Sequence, residues 1–324
     1  MSNSAMKLFV MKLLAIRLPV ICLLAFLFAP GQTLLGNEPP PITAICFSPD
    51  GKFVIAGSQA GLSVHHWPSL KIEKTIRTSI DHVHDISFRN ETLVIAGGRP
   101  SESGDLEIRN WPDGSMRSKY SDGTDTFYAV DIHERFAAVA SGDHILRILD
   151  AHSMSTLHEL QGHSRRVLAT AFFTRSDQLF AASASADHTI RIWDVEGGRL
   201  VRTLDNHTDI VRNLAFRPSQ AGLPMLASAS VDATVRFWQP TIGRLVRFIK
   251  LPSEPLDIAW LYDGKQLAAA CVDGKLRIID ADTVTIRQTV SAIDGWAYCV
   301  VAHPTQPEVA IAGSGAKIRR FVIE

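Results

Sequence analysis

Residues 163–194 read HSRRVLATAFFTRSDQLFAASASADHTIRIWD, and residues 207–238 read HTDIVRNLAFRPSQAGLPMLASASVDATVRFW. The two stretches are near copies. Each opens on a His, runs through an apolar strand with a Phe near its end, and crosses a polar turn. Each then enters an Ala/Ser-rich strand, passes an Asp and closes on an Arg-x-Trp strand. A self-similar unit of this size marks a repeat architecture, so the functional question concerns a face made by many units rather than one catalytic motif.

Working outward from Trp193, the equivalent positions are Trp67, Trp111, Leu149, Trp193, Trp238, Ile279 and Phe321, in steps of 44, 38, 44, 45, 41 and 42 residues. That spacing suits four strands per unit. Two residues before these positions stand Arg109, Arg147, Arg191, Arg236, Arg277 and Arg319, with His65 in the first unit. Seven units fill residues 42–324 and leave no room for a second domain. Residues 42–47, 83–88, 127–132, 167–172, 211–216 and 256–260 alternate at period two and read as first strands. Turns such as Ser48-Pro49-Asp50-Gly51 follow them, and the next strands are rich in small residues. No stretch holds a sustained helical period.

At this point the chain resembles the WD-repeat β-propellers, across essentially all of residues 32–324. The resemblance implies an all-β fold, a seven-bladed β-propeller of four-stranded antiparallel blades. It also implies a buried tetrad in each regular blade. His163, Ser183, Asp187 and Trp193 supply it in the fourth unit, and His207, Ser228, Asp232 and Trp238 in the fifth. In both, Ser precedes Asp by four and Trp follows Asp by six. The other units drift. The second keeps Asp105 and Trp111 with an enlarged turn over residues 99–104, and the third and sixth keep Asp143 and Asp273 without a Trp. The first keeps Trp67 but has Gly61 for Asp, and the seventh has Gly315 and Phe321. Drifted blades are expected to stand on apolar packing and ladder hydrogen bonds alone. The seventh unit ends at Glu324, straight after its third strand. Residues 32–35 (QTLL) echo residues 202–205 and are expected to supply the missing outer strand and close the ring.

The chain carries 33 basic and 33 acidic side chains, a formal net charge of zero, which argues against a nucleic-acid partner. Residues 1–31 hold no acid. Lys7, Lys12 and Arg17 precede a short apolar run, and Ala29-Pro30-Gly31 offers small residues at a cut after Gly31. This is the layout of a signal peptide, giving an exported protein, periplasmic or extracellular; an uncleaved membrane anchor is the alternative. Past that cut, Cys46, Cys271 and Cys299 remain, an odd count in strand contexts, so they read as buried apolar side chains.

His163, Ser183 and Asp187 look like a hydrolase triad on paper, but their tetrad places exclude a substrate-facing nucleophile. His82-x-His84 puts two imidazoles on one face of a strand, half of a metal site without an evident third ligand, so they read as solvent-exposed histidines. No cofactor and no metal are expected. The resemblance places function on the rim at the start of the first strands. There the candidates are His82 and His84, Thr126 and Tyr128, Arg166 and Leu168, Ile210 and Arg212, Glu254 and Leu256, and Trp296 and Tyr298. His82, His84, Tyr128, Arg166, Arg212, Trp296 and Tyr298 form the expected partner-binding rim, and its Tyr, Trp and Arg members are the residue types enriched where protein partners are anchored. The first reading is an exported, non-catalytic scaffold for a protein or peptide, alone or as a subunit of a complex. The alternative is a propeller enzyme, a lactonase or quinoprotein dehydrogenase, with a metal or cofactor in the central channel.

Overall fold

The computed structural model describes residues 39–122, 124–218 and 223–324. These form seven antiparallel sheets, each an up-and-down meander, which we number as blades one to seven in chain order. Six have four strands. The seventh has three among the described residues, Ala297–Ala302, Glu308–Gly313 and Ile318–Val322. The one helical element among the described residues is a 3-10 turn, Ser314–Ala316. Residues 32–35, expected to complete the seventh blade, lie outside the described residues.

Each sheet starts from an innermost strand: Ala44–Phe47, Val83–Arg89, Phe127–His133, Val167–Arg175, Val211–Phe216, Pro255–Trp260 and Ala297–Ala302. Each of these touches the innermost strands of the blades before and after it, and the last touches the first, so the ring closes. Side-chain alternation explains the sequence pattern. Second strands such as Phe136–Ser141, Leu226–Ser230 and Glu308–Gly313 are buried along their whole length, because a neighbouring blade covers each face. Small Ala and Ser side chains fit there. Outer strands such as Arg199–Leu204 are largely exposed and carry polar and apolar side chains in equal number.

Seven apolar seams hold the blades together, one for each neighbouring pair. Leu160, Val167, Phe172 and Trp193 join blades three and four, for example. Ile42, Ala56, Cys299 and Ala312 join blade seven to blade one. Burying each Leu, Ile, Val or Phe contributes about 1.5–3 kcal/mol, so these seams dominate the stability.

The seams also carry polar fastenings that the sequence reading missed. The innermost strands present an unpaired edge, and three aspartates cover parts of it. Asp85 accepts from its neighbour Ile86 N at 2.8 Å and from Val130 N of the next blade at 2.9 Å. Asp131 does the same with Ile132 N (2.8 Å) and Phe172 N (2.7 Å). Asp257 repeats it with Ile258 N (2.8 Å) and Val300 N (2.7 Å). Burial pushes Asp85 up to about 6 and Asp257 up to about 7 against those hydrogen bonds, and raises Asp131 as well. The charge on Asp85 raises Asp257 further, although they belong to blades two and six. Other seams use other groups. Thr43 Oγ1 donates to Val83 O at 2.5 Å between blades one and two. Trp260 Nε1 donates to Ala215 O at 3.0 Å between blades five and six. Phe173 and Phe216 stack at 4.5 Å between blades four and five.

Strand register corrects two positions of the repeat. In blade four Trp193 pairs with Ala181, and the ladder to the outer strand bulges just before Trp193. The same place is held by Leu149, Trp238 and Ile279, which the spacing had found. In blades one and two, however, it is held by His65 and Arg109. Trp67 and Trp111 lie two residues further on, each before a cis-proline. Trp67 instead reaches blade seven, where its Nε1 donates to Glu308 Oε2 at 2.7 Å, and Glu308 also pairs with Arg320. The enlarged turn of blade two is not a loop: its second and third strands are longer, Thr92–Arg99 and Ser103–Asn110, around a tight turn.

Candidate functional site

In blades four and five the four conserved-offset side chains form one chain of hydrogen bonds. Trp193 Nε1 donates to Ser183 Oγ (2.8 Å), Ser183 Oγ meets His163 Nε2 (2.7 Å), and His163 Nδ1 meets Asp187 Oδ2 (2.9 Å). Blade five repeats this with Trp238, Ser228, His207 and Asp232 at 2.8, 2.7 and 2.8 Å. One assignment satisfies every atom: a neutral imidazole takes the Ser proton at Nε2 and gives Nδ1–H to the carboxylate. Burial lowers the pKa of both histidines, against the pull of their aspartates, which keeps them neutral. Burial alone would raise Asp187 and Asp232. Hydrogen bonds from the His, from Thr189 or Thr234 and from a backbone N–H outweigh it and hold both well below the usual carboxylate range. Ser183 and Ser228 are completely buried, so neither hydroxyl meets a substrate.

The drifted blades do not rely on apolar packing and ladders alone. In blade three Arg147 grips Asp143 through two hydrogen bonds (3.1 and 2.6 Å), and in blade six Arg277 grips Asp273 the same way (2.9 and 2.6 Å). Arg147 is 2% exposed and Arg277 likewise, so these forks sit in the wall of the blade. In blade two Glu107 receives Arg109 on one oxygen and both Ser79 N (2.6 Å) and Ser79 Oγ (2.7 Å) on the other. Glu107 is fully buried and ties down the loop before Val83.

The rim is shaped by a β-bulge at the start of six innermost strands. Strand pairing skips His84, Tyr128, Leu168, Arg212, Leu256 and Tyr298. A bulge re-aims the extra residue, and all six are half-buried. Small residues stand opposite each bulge. Gly97 and Gly313 are two of them, and a Cβ on either would strike the carbonyl of His82 or Trp296. In blades four and five the place belongs to Ser185 and Ser230, whose hydroxyls donate to Arg165 O (3.0 Å) and Asp209 O (3.1 Å).

The structure brings four of the rim candidates together. The rings of His82 and His84 lie 6.4 Å apart and nearly parallel, and His84 packs on Tyr128 at 5.2 Å. Arg166 Nη1 donates to Tyr128 Oη at 3.2 Å and its guanidinium lies over that ring. Trp296 and Tyr298 form a separate pair at 5.8 Å, with Trp296 37% exposed. Arg212 stands in blade five. Two expectations change. Thr126 is completely buried and is no rim residue. His84 is not a solvent-exposed histidine: burial, helped by His82, pushes its pKa down to about 4. Among the described residues no group of three or more His, Cys, Asp or Glu is placed to hold a metal.

The family model for the WD domain, G-beta repeat, matches residues 28–67, 154–194, 198–239 and 244–280. The chain carries WD repeats. In three of the four matches the WD repeat begins on the outer strand of one blade and ends on the third strand of the next, as in 198–239, which spans Arg199–Leu204 to Thr234–Gln239. The WD repeats with both His–Ser–Trp chains lie in two of these matches. A comparison with curated proteins returned no match.

Proposed function

We propose that this WD-repeat propeller is an exported, non-catalytic scaffold that holds a protein or peptide on its bulged rim. The observation that carries the reading is the rim itself. Six bulges turn half-buried side chains out at the same level, and two aromatic clusters, His82–His84–Tyr128 and Trp296–Tyr298, lie among them. WD-repeat propellers in general bind protein partners, and aromatic and Arg side chains are the usual anchors. Three acids of the innermost strands support the non-catalytic half of the reading. Both oxygens of Asp85, Asp131 and Asp257 are already bound by backbone N–H groups. The signal-peptide layout of residues 1–31 supports export.

The test is capture of partners from the native cell envelope by the full chain, followed by cross-linking. Replacing Trp296, Tyr298 and Arg212 together by Ala is expected to abolish capture while the melting temperature stays within a few degrees. Undiminished capture by the triple variant refutes the rim. Mass analysis of the exported protein checks the cut after Gly31.

A further inference from the structure

We propose that the sector His82, His84, Tyr128 and Arg166 receives the carboxylate side chain of an acidic peptide segment. This rests on the rim reading and names the chemistry of one part of it.

Three observations converge. First, Arg166 has no carboxylate partner among the described residues; its guanidinium reaches the Tyr128 hydroxyl, a neutral group. Arg147, Arg236 and Arg277, by contrast, are each paired to an aspartate four residues away. Second, His84 Nε2 is buried in this sector without a hydrogen-bond partner among the described residues. Third, the nearby acids are already engaged. Asp81 pairs with Arg99, and Asp125 Oδ1 accepts from Ser101 N and Thr126 N, both at 2.7 Å. The sector thus sets the Arg166 guanidinium against the Tyr128 phenol that it holds, with His84 and His82 beside them, the latter with its Nδ1 3.0 Å from Gln59 Nε2, on two adjacent bulges and the residue before a third.

A carboxylate suits these groups. Only Nη1 of the Arg166 guanidinium is taken up by Tyr128, which leaves its other N–H groups for charge-assisted hydrogen bonds, and an imidazole N–H is a further donor. The sector is too small, and the chain too neutral, for a phosphate backbone running across it.

The probe is a fluorescently labelled octamer of glutamate, titrated with the full chain at low and at moderate salt, beside an octamer of glutamine. The glutamate peptide is expected to bind preferentially, more weakly at the higher salt. Arg166→Gln is expected to weaken it about tenfold or more, the usual worth of a charge-assisted bond, with an unchanged melt. Arg166→Lys keeps the charge without the fork and is expected to fall between. Equal binding of the two peptides overturns the proposal, as does full affinity in Arg166→Gln. Tighter binding of a single-stranded oligonucleotide or of anionic vesicles than of the glutamate peptide overturns it too. If Trp296→Ala reduces envelope capture while Arg166→Gln changes nothing, the rim reading stands and this inference alone fails.

Discussion

Ser183→Ala removes a single oxygen and tests whether the hydrogen-bond chain of blade four stabilises the fold. Ser183 Oγ accepts from Trp193 Nε1 at 2.8 Å and serves His163 Nε2 at 2.7 Å. Ser183, Trp193 and His163 are 0, 2 and 6% exposed, so water has no access to replace the lost partner. The vacated space is smaller than one water molecule. Two buried groups are therefore left unpaired, each costing about 1–3 kcal/mol, for a total of about 2–6 kcal/mol. At about 2–4 °C per kcal/mol for a large domain, the melting temperature should fall by about 5 °C or more. Urea denaturation followed by tryptophan fluorescence gives the free energy directly, and an unchanged slope would show that the unfolded state is unaffected. Ser228→Ala should behave alike. Val139→Ala truncates the apolar side chain at the same register position in blade three and measures packing alone. A loss under about 0.5 kcal/mol in both serine variants would refute the reasoning, because the chain of bonds would then carry no net stability.

Three further outcomes follow from the same geometry. Deleting residues 32–36 is expected to lower the melting temperature by about 5 °C or more, since the third strand Ile318–Val322 has no outer partner among the described residues; an unchanged melt counts against the closure. Asp273→Ala should cost about 3–5 kcal/mol by stranding the buried Arg277, and adding Arg277→Leu should recover most of it; chemical denaturation of the two variants decides, and no recovery refutes the fork. Acid should act oppositely on two parts of the ring. His163 and His207 have folded pKa values below the unfolded 6.5, so their stabilisation is lost as pH falls below about 6.5. Asp187 and Asp232 are lowered too, and their contribution fades below about pH 4. Asp85 and Asp257 are raised to about 6 and about 7, so they gain stability as pH falls from about 7 toward 4. Hydrogen exchange, corrected for intrinsic rates, should therefore quicken in blades four and five between pH 7 and 5 while Val130 and Val300 slow. A uniform change across all four regions would contradict this.

Much of the fold was legible because the repeat is written in residue types at fixed offsets. The twin stretches at His163 and His207 fixed both phase and period, and the innermost strands fell where alternation placed them. The phase slipped in blades one and two because Trp67 and Trp111 imitate the repeat tryptophan from two residues beyond it. The short step of 38 residues from Trp111 to Leu149 was the available signal; measured from Arg109 it is 149 minus 109, or 40. The aspartate fastenings were missed for another reason. Asp85 and Asp257 pair at the same register place, but Asp131 sits two residues further along its strand. Their common role lies in which backbone N–H each reaches, and that is set by the neighbouring blade. The Arg–Asp forks could have been read from the Asp-x-x-x-Arg spacing of Asp143 and Arg147, or of Asp273 and Arg277. On the rim, burial decided what residue type could not: Thr126 is covered completely and His84 is half-buried.

The seams use several chemistries, one of them shared by three seams, and that variety has a consequence for assembly. Seven similar sheets joined by identical contacts would fit one another in any order, and two chains would exchange blades at little cost. Here Asp85 fits the amide of Val130, Glu308 fits the indole of Trp67, and Phe173 fits Phe216. The seams with particular side-chain pairs, Glu308 with Trp67 and Phe173 with Phe216, thus mark a blade's own successor. Copies that began alike have become an ordered set of matched ends, so that transplanting one blade into another's slot would leave a buried carboxylate or indole facing the wrong surface.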